Sequence, residues 1–205
     1  MLILQLIQNP IYFLSFALAF LISLSCHEAA HAYVANRLGD PTAKLMGRLT
    51  LNPFKHLDPW GTIFLFIVGF GWGIPVPINP HNFKNEKLDS LKVSLAGPAT
   101  NLLLAFLFGL VYRLFPLGNI FGQIVIAMVS LNIIWMIFNL LPIPPLDGSH
   151  ILRIFIPERA YEILEKLGFP LLIVLLFFSP FINNIIIWGL SFFFQLFTGH
   201  VYQTF

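Results

Sequence analysis

The chain has 205 residues, of which 58% are hydrophobic and only 10% are charged, and its formal net charge is +2. A soluble domain carries about 25% charged residues, and the apolar residues here form blocks long enough for the roughly 20 residues that cross a bilayer. We therefore predict an all-α, multi-pass protein of the cell membrane that forms a single domain over residues 1–205. The small net charge gives no support to a nucleic-acid partner, and the single cysteine excludes an internal disulfide.

The first half of the chain contains one long apolar block and one short one. The long block covers about residues 10–36 and ends at the helix-stop cluster NRLGDP. Residues 42–58 are more polar, and their Asn-Pro turn and Leu-Thr-Leu run favour a short β-hairpin over a helix. Residues 60–74 are apolar again, but about fifteen helical residues reach only about 22 Å, less than the roughly 30 Å of the hydrocarbon core.

The second half contains longer apolar blocks. Two of them cover about residues 91–114 and 120–141, and a run of prolines ends the second. The tail, residues 169–198, is apolar but interrupted at Ser179-Pro180 and Asn183-Asn184, so it forms either two short helices or one broken helix. Together, the blocks of both halves predict about five to six membrane segments.

The basic residues indicate how these segments are oriented. They cluster in regions 37–55, 84–92 and 153–166, and only Arg113 lies elsewhere. The positive-inside rule places all three regions in the cytoplasm. Block 60–74 must then enter and leave the membrane on the same side. We therefore predict a re-entrant segment there, beside the candidate site described next, because irregular backbone at that depth must be buried in protein or face a watery cavity.

The sequence HEAAH at residues 27–31 lies inside the first apolar block. Two histidines four residues apart lie on one face of a helix, so His27 and His31 can bind one metal ion. Glu28 can then polarise a water on the metal, which is the HExxH pattern of zinc hydrolases. If the histidines only linked helices, three ionisable side chains would lie in the membrane at a large cost for little gain.

A catalytic zinc takes three protein ligands, so a third must come from elsewhere in the chain. Asp147 is the best candidate, because the prolines before it break a helix near its cytoplasmic end and let the chain turn a carboxylate inward. The alternative is that Asp147 caps a helix beginning near Gly148. The other histidines lie in loops, near this turn or at the chain end, and are weaker candidates: His56, His81, His150 and His200.

The HExxH motif combined with NLLPIPPLDG at residues 139–148 resembles the site-2 protease family of intramembrane zinc metalloproteases. Further runs match the compact members of that family: GRLTLNP at 47–53, HLDPWGT at 56–62, PVPINP at 75–80 and GPATN at 97–101. The likeness covers about residues 26–148. We expect the compact form, without a PDZ or nucleotide-sensing domain, with the site in a core of about residues 10–155 and membrane segments following it.

The resemblance implies one zinc ion per chain, bound by His27, His31 and Asp147, with Glu28 as general base and then proton donor. It also implies that Asn139 holds the scissile carbonyl or its oxyanion, and a neutral amide stabilises negative charge without competing for the metal. The implied substrates are single-span membrane proteins or remnant signal peptides, cut near the cytoplasmic side of the lipid bilayer.

Several alternatives stay open at this stage. Asn139 could instead join helices, and Asn101 could do the same or position substrate. A divalent-cation transporter also places histidines and acids at mid-membrane depth, but it needs ligands on several helices, and blocks 91–114 and 120–141 contain no acid or histidine. A metalloprotease of the prenyl-protein processing type uses Glu as third ligand, but the glutamates here lie in a charged segment: Glu158, Glu162 and Glu165.

Overall fold

The computed structural model describes residues 8–68, 71–115 and 120–202. The ends of the predicted domain, residues 1–7 and 203–205, and residues 69 and 70 of the predicted re-entrant segment lie outside these ranges. Eight α-helices occur in the described ranges: α1 (Pro10–Leu38), α2 (Thr42–Leu45), α3 (Pro59–Val68), α4 (Glu86–Leu114), α5 (Ile120–Asn139), α6 (Ser149–Phe155), α7 (Glu158–Phe178) and α8 (Pro180–Thr198). The prediction of an all-α membrane protein is thus confirmed.

Four of these helices are long and apolar enough to cross a membrane: α1, α4, α5 and α8. The predicted number of five to six membrane segments is not confirmed, because α3 has only ten residues and α7 carries charged residues in its first half. The break predicted at Ser179-Pro180 is present between α7 and α8. The Asn183-Asn184 pair does not break the helix and lies inside α8.

Helix α1 begins and ends at clear capping signals. The side chain of Asn9 accepts a hydrogen bond from the Tyr12 N–H, and Pro10 occupies the first helical position. At the other end Gly39 takes the left-handed conformation, with φ of 113°, and its N–H bonds back to the Ala35 carbonyl. The 29 residues between them run about 43 Å, so one helix carries the HEAAH motif in its C-terminal half.

The core lies where α1, α4 and α5 meet. One buried cluster joins α1 and α5 with a residue of α3: Ala19, Phe20, Leu24, Leu65, Met128 and Leu131. A second cluster joins α8 to α4 and α5: Ala105, Val125, Val129, Ile133, Leu190 and Phe194. At the far end of α4, Gly109 lets α8 approach closely, since a Cβ there would lie 2.6 Å from the Cβ of Phe197. This packing holds the helices that carry the site in fixed register.

The two ends of segment 57–74 lie side by side. Leu57 and Gly73 form an antiparallel bridge, and the Ile74 N–H donates to the His56 carbonyl at 2.8 Å. Gly61 lies against the returning backbone, because a Cβ at this position would be 2.1 Å from the Trp72 carbonyl oxygen. Both ends of a re-entrant segment must meet in this way, and the re-entrant course itself and its depth in the membrane stay predictions.

The hairpin predicted for residues 42–58 is not confirmed. Within this described segment the chain forms α2, turns and a 3₁₀ turn at Pro53–Lys55, and Leu57 pairs with Gly73 rather than within the segment. The reason is local bonding. Gly47 takes a φ of 67° and the Arg48 N–H donates back to the Ala43 carbonyl at 2.8 Å, which ends α2. Asn52 then accepts from the Phe54 N–H and starts the 3₁₀ turn.

Candidate metal centre

Three metal-binding side chains meet where α1 faces the loop after α5. His27 and His31 are buried one turn apart on α1, and their Nε2 atoms lie 3.0 Å from each other. The Asp147 Oδ2 lies 3.2 Å from the Nε2 of His27 and 3.4 Å from the Nε2 of His31. The structure therefore brings together all three ligands predicted from the sequence.

The group fits a zinc ion. The Asp147 Oδ2 is buried and has no hydrogen-bond donor among the described residues, which is costly for a carboxylate unless a cation faces it. Tetrahedral zinc with bonds of about 2.0 to 2.2 Å holds its ligand atoms about 3.3 to 3.6 Å apart. The observed separations are close to that range, so a small outward movement of the ligands would accommodate the ion.

Both histidines are held in the tautomer that a metal needs. The Nδ1–H of His31 donates to the Val93 carbonyl at 2.7 Å, and the Nδ1–H of His27 donates to the Asn101 Oδ1 at 2.6 Å. A proton on Nδ1 leaves the lone pair on Nε2, which is the atom that faces the metal. Asn101, whose role the sequence left open, thus orients a candidate ligand.

Helix α4 approaches the two histidines through a glycine. A Cβ at Gly97 would lie 2.4 Å from the Cε1 of His27 and 2.5 Å from the Nε2 of His31. Real Cβ atoms do not come so near, and both atoms belong to rings fixed by hydrogen bonds. The first residue of the GPATN run is therefore needed for α4 to close against the site.

The loop after α5 turns Asp147 toward α1. Prolines end α5, and the Gly148 N–H donates to the Asn139 carbonyl at 2.6 Å, which closes the loop at its base. Helix α6 then begins at Ser149 without a side-chain cap. The alternative in which Asp147 caps that helix is therefore not supported.

Glu28 is hydrogen-bonded to the PVPINP run. Its Oε2 accepts a hydrogen bond of 3.0 Å from the Val76 N–H. Arg48 donates in turn to the carbonyls of Ile74 and Pro75, which precede that residue. The sequence alone indicates no role for Arg48 or Val76, and the one signal that could have found them is their place in the GRLTLNP and PVPINP runs.

Asn139 is bonded to neighbours of the metal group, through the Gly148 N–H and the Trp135 carbonyl, and not to the group itself. It is the half-buried last residue of α5, and its Nδ2 donates to the Trp135 carbonyl at 3.1 Å. The Trp135 ring stands edge-on to the His27 ring, with centroids 6.1 Å apart. The predicted contact of Asn139 with a scissile carbonyl stays a prediction.

The other histidines do not join the metal group. His81 is exposed and pairs with Glu86, His200 packs on the Tyr112 ring, and His150 packs on the Tyr161 ring. His56 is fully buried, although it lies in a loop, and its Nε2–H donates to the Thr50 carbonyl at 2.9 Å. It fastens the polar segment after α2 rather than binding the metal.

Comparison with known proteins gives one consistent family. Residues 15–118 and 116–179 match the model of peptidase family M50. The chain is 42% identical over 183 residues to YwhC of Bacillus subtilis, which carries a zinc metalloprotease name, and the match covers 82% of this chain and 81% of that protein. Rip2 of Mycolicibacterium smegmatis, also named as a zinc metalloprotease, is 38% identical over 175 residues, which are 80% of this chain and 66% of Rip2. No solved structure matches the chain significantly.

Proposed function

Because the chain belongs to peptidase family M50, the site-2 protease family, it is a zinc metalloprotease of the membrane, and we propose that His27, His31 and Asp147 bind its zinc ion. The observation that carries this proposal is the meeting of two histidine Nε2 atoms and one orphaned carboxylate oxygen within 3.4 Å of one another. Zinc held there supplies a Lewis acid that activates water and polarises a peptide carbonyl.

Glu28 is the general base and then the proton donor in this proposal. It follows His27 directly in the sequence, and the Val76 N–H holds one of its carboxylate oxygens. The other oxygen takes a proton from the attacking water and passes it to the nitrogen of the breaking peptide bond. A base that is fixed on one oxygen keeps its direction through both transfers.

Asn139 stabilises the scissile carbonyl as negative charge develops on its oxygen. A carboxamide nitrogen has two N–H groups, and the Trp135 carbonyl engages one of them. The second N–H is the donor offered to substrate. One lost oxyanion donor typically lowers kcat by about 100- to 1,000-fold, which is the size of effect expected for Asn139→Ala.

The substrates are single-span membrane proteins or remnant signal peptides, cut near the cytoplasmic side. Support comes from the basic regions that flank the site and from His27, which lies ten residues, about 15 Å, before Arg37 on α1. A spanning substrate helix hides its peptide bonds, so it must unwind locally before cleavage. We propose further that the chain is a multi-pass protein of the cell membrane and forms a single domain. The zinc site lies in the core of residues 10–155, and further membrane segments follow in residues 169–198.

The test is cleavage of a panel of single-span reporters by purified protein in proteoliposomes, with the cut mapped by mass spectrometry and bound zinc quantified. Glu28→Gln should lose cleavage and keep zinc, whereas Asp147→Asn should lose both. Glu162→Gln, exposed on α7, is the matched control and should keep both. Cleavage by Asp147→Asn at full zinc occupancy would mean that the third ligand lies elsewhere, and cuts confined to the far side of the reporters would overturn the cytoplasmic position.

A further inference from the structure

A line of buried polar groups runs from the centre of the bundle to His27. Asn101 on α4 and Asn132 on α5 are fully buried, as is Ser23 on α1. The Asn101 Nδ2 donates to the Asn132 Oδ1 at 2.7 Å, and the Asn132 Nδ2 donates to the Ser23 Oγ at 2.8 Å and to the Met128 carbonyl at 2.7 Å. With the bond between Asn101 and His27, four side chains from three helices form one connected network.

The orientation of both amides in the network follows from its contact with the Met128 carbonyl, which can only accept a hydrogen bond. The Met128 carbonyl has no proton to give, so the Asn132 atom facing it must be the amide nitrogen. The Asn132 oxygen is then turned toward Asn101, and the Asn101 atom facing that oxygen must also be nitrogen. This leaves the Asn101 oxygen toward His27, and the proton of the neutral imidazole must sit on Nδ1 to meet it.

The opposite amide orientation would disable the ligand. If Asn101 were turned over, its nitrogen would donate to Nδ1, and the proton of a neutral His27 would sit on Nε2. That atom is the one that faces His31 and Asp147. An Nε2–H cannot bind a metal. Asn101 alone does not decide between the two orientations, since either end of its amide can bond to an imidazole nitrogen.

We propose that Asn132 is a positioning residue of the metal centre, which fixes the metal-binding tautomer of His27 by orienting the Asn101 amide. His31 needs no such relay, because its Nδ1 bonds directly to the Val93 backbone carbonyl, which can only accept. The tautomers of the two histidines are therefore fixed by different groups. A backbone carbonyl fixes that of His31, and a side-chain relay across three helices fixes that of His27. The relay explains why two amides lie fully buried in adjacent apolar helices.

The first test replaces Asn132 by Leu, which has a similar volume and no polar atoms. Zinc affinity is measured by competition with a chelator on the purified protein in detergent, and the His27 tautomer is read in the zinc-free protein by ¹⁵N NMR of the imidazole. Loss of a group that orients a metal ligand weakens binding by about 10- to 100-fold, and we expect that loss together with a mixed tautomer. Ser130→Ala, on the same helix and outside the network, should change neither measurement.

A double mutant separates positioning from packing. In Asn101→Asp both oxygens accept, so the carboxylate fixes the Nδ1–H of His27 without help from Asn132, whose own oxygen then faces another acceptor. Asn132→Leu should therefore weaken zinc binding in the wild type but should not weaken it in the Asn101→Asp background. An equal loss in both backgrounds, or an unchanged tautomer in Asn132→Leu, would overturn the inference and reduce Asn132 to helix packing.

The inference rests on the proposed ligand role of His27, and its failure can be told apart from failure of that role. His27→Ala is measured beside the Asn132 variants. Zinc bound by His27→Ala at wild-type affinity would overturn the proposed site itself. Zinc lost from His27→Ala but bound normally by Asn132→Leu would leave the site standing and remove only the relay.

Discussion

The backbone N–H of Val76 donates a 3.0 Å hydrogen bond to the carboxylate of Glu28, although 48 positions separate the two residues. This bond joins the HEAAH helix to the chain that follows residues 57–74. A backbone donor cannot be removed by changing the side chain of Val76, so the segment must be held in place by its neighbours. Arg48 is the side chain that does so, through the carbonyls of Ile74 and Pro75.

Arg48→Ala should lower kcat by about 10- to 100-fold, because a base displaced by about 1 Å loses its alignment while the zinc ligands stay in place. Bound zinc should remain at the wild-type level, which separates this variant from a ligand mutant. Lys44→Ala is the matched control, since Lys44 is exposed on the neighbouring helix α2. Steady-state cleavage of a reporter peptide measures the effect, and a loss of zinc in Arg48→Ala would contradict the assignment.

Gly97→Ala should weaken zinc binding by about 10- to 100-fold, because its methyl group would enter the space held by the His27 and His31 rings. Gly109→Ala is a sharp control on the same helix, where the new Cβ would press on Phe197 instead. Overpacking costs about 1 to 3 kcal/mol of stability at either position. Thermal unfolding should show both losses, and chelator competition should show a zinc defect in Gly97→Ala alone.

The three residues of the candidate metal group could be predicted from the sequence because their information is local. A four-residue spacing fixes two histidines on one helix face, and the prolines before Asp147 indicate a turned chain. Arg48 and Val76 could not be predicted in this way. Their role depends on the path of residues 57–74, which brings together groups that no periodicity relates.

The unconfirmed hairpin and the buried position of His56 have a similar cause. The Leu-Thr-Leu run gives a weak alternating pattern, whereas the bonds that shape residues 42–58 come from Gly47, Asn52 and buried His56. Which of these hydrogen bonds form depends on whether residues 42–58 fold on themselves or pair with another segment. The direction of the Asn101 amide is likewise a property of the packed bundle, since Met128 and Asn132 determine it from another helix.

Asp40 should make the protein less stable in acid. Burial alone would raise its pKa, but hydrogen bonds from Thr42, Asn79 and Asn82 outweigh it and lower the pKa of this carboxyl below its usual value. A lowered native pKa means that the stabilisation is complete above the ordinary value of about 4 and is lost as the pH falls through the native pKa. Thermal unfolding temperatures of wild type and Asp40→Asn should differ at pH 7, and the difference should shrink as the pH falls below about 4. A constant difference over this range would contradict the role of the ionised carboxylate.

Zinc should stabilise the fold much more when Asp147 is present than when it is replaced by Asn. A ligand that binds the native state alone adds about 2.7 kcal/mol when its free concentration is 100 times its Kd. Zinc added to the stripped wild-type protein should therefore raise the unfolding temperature and restore cleavage. In Asp147→Asn the third ligand is an amide, so the same addition should give a much smaller rise. Mg²⁺ in place of zinc serves as the control, since it prefers oxygen ligands and octahedral geometry over a site with two imidazoles. An equal rise with both ions would indicate binding at the protein surface instead of at the three ligands.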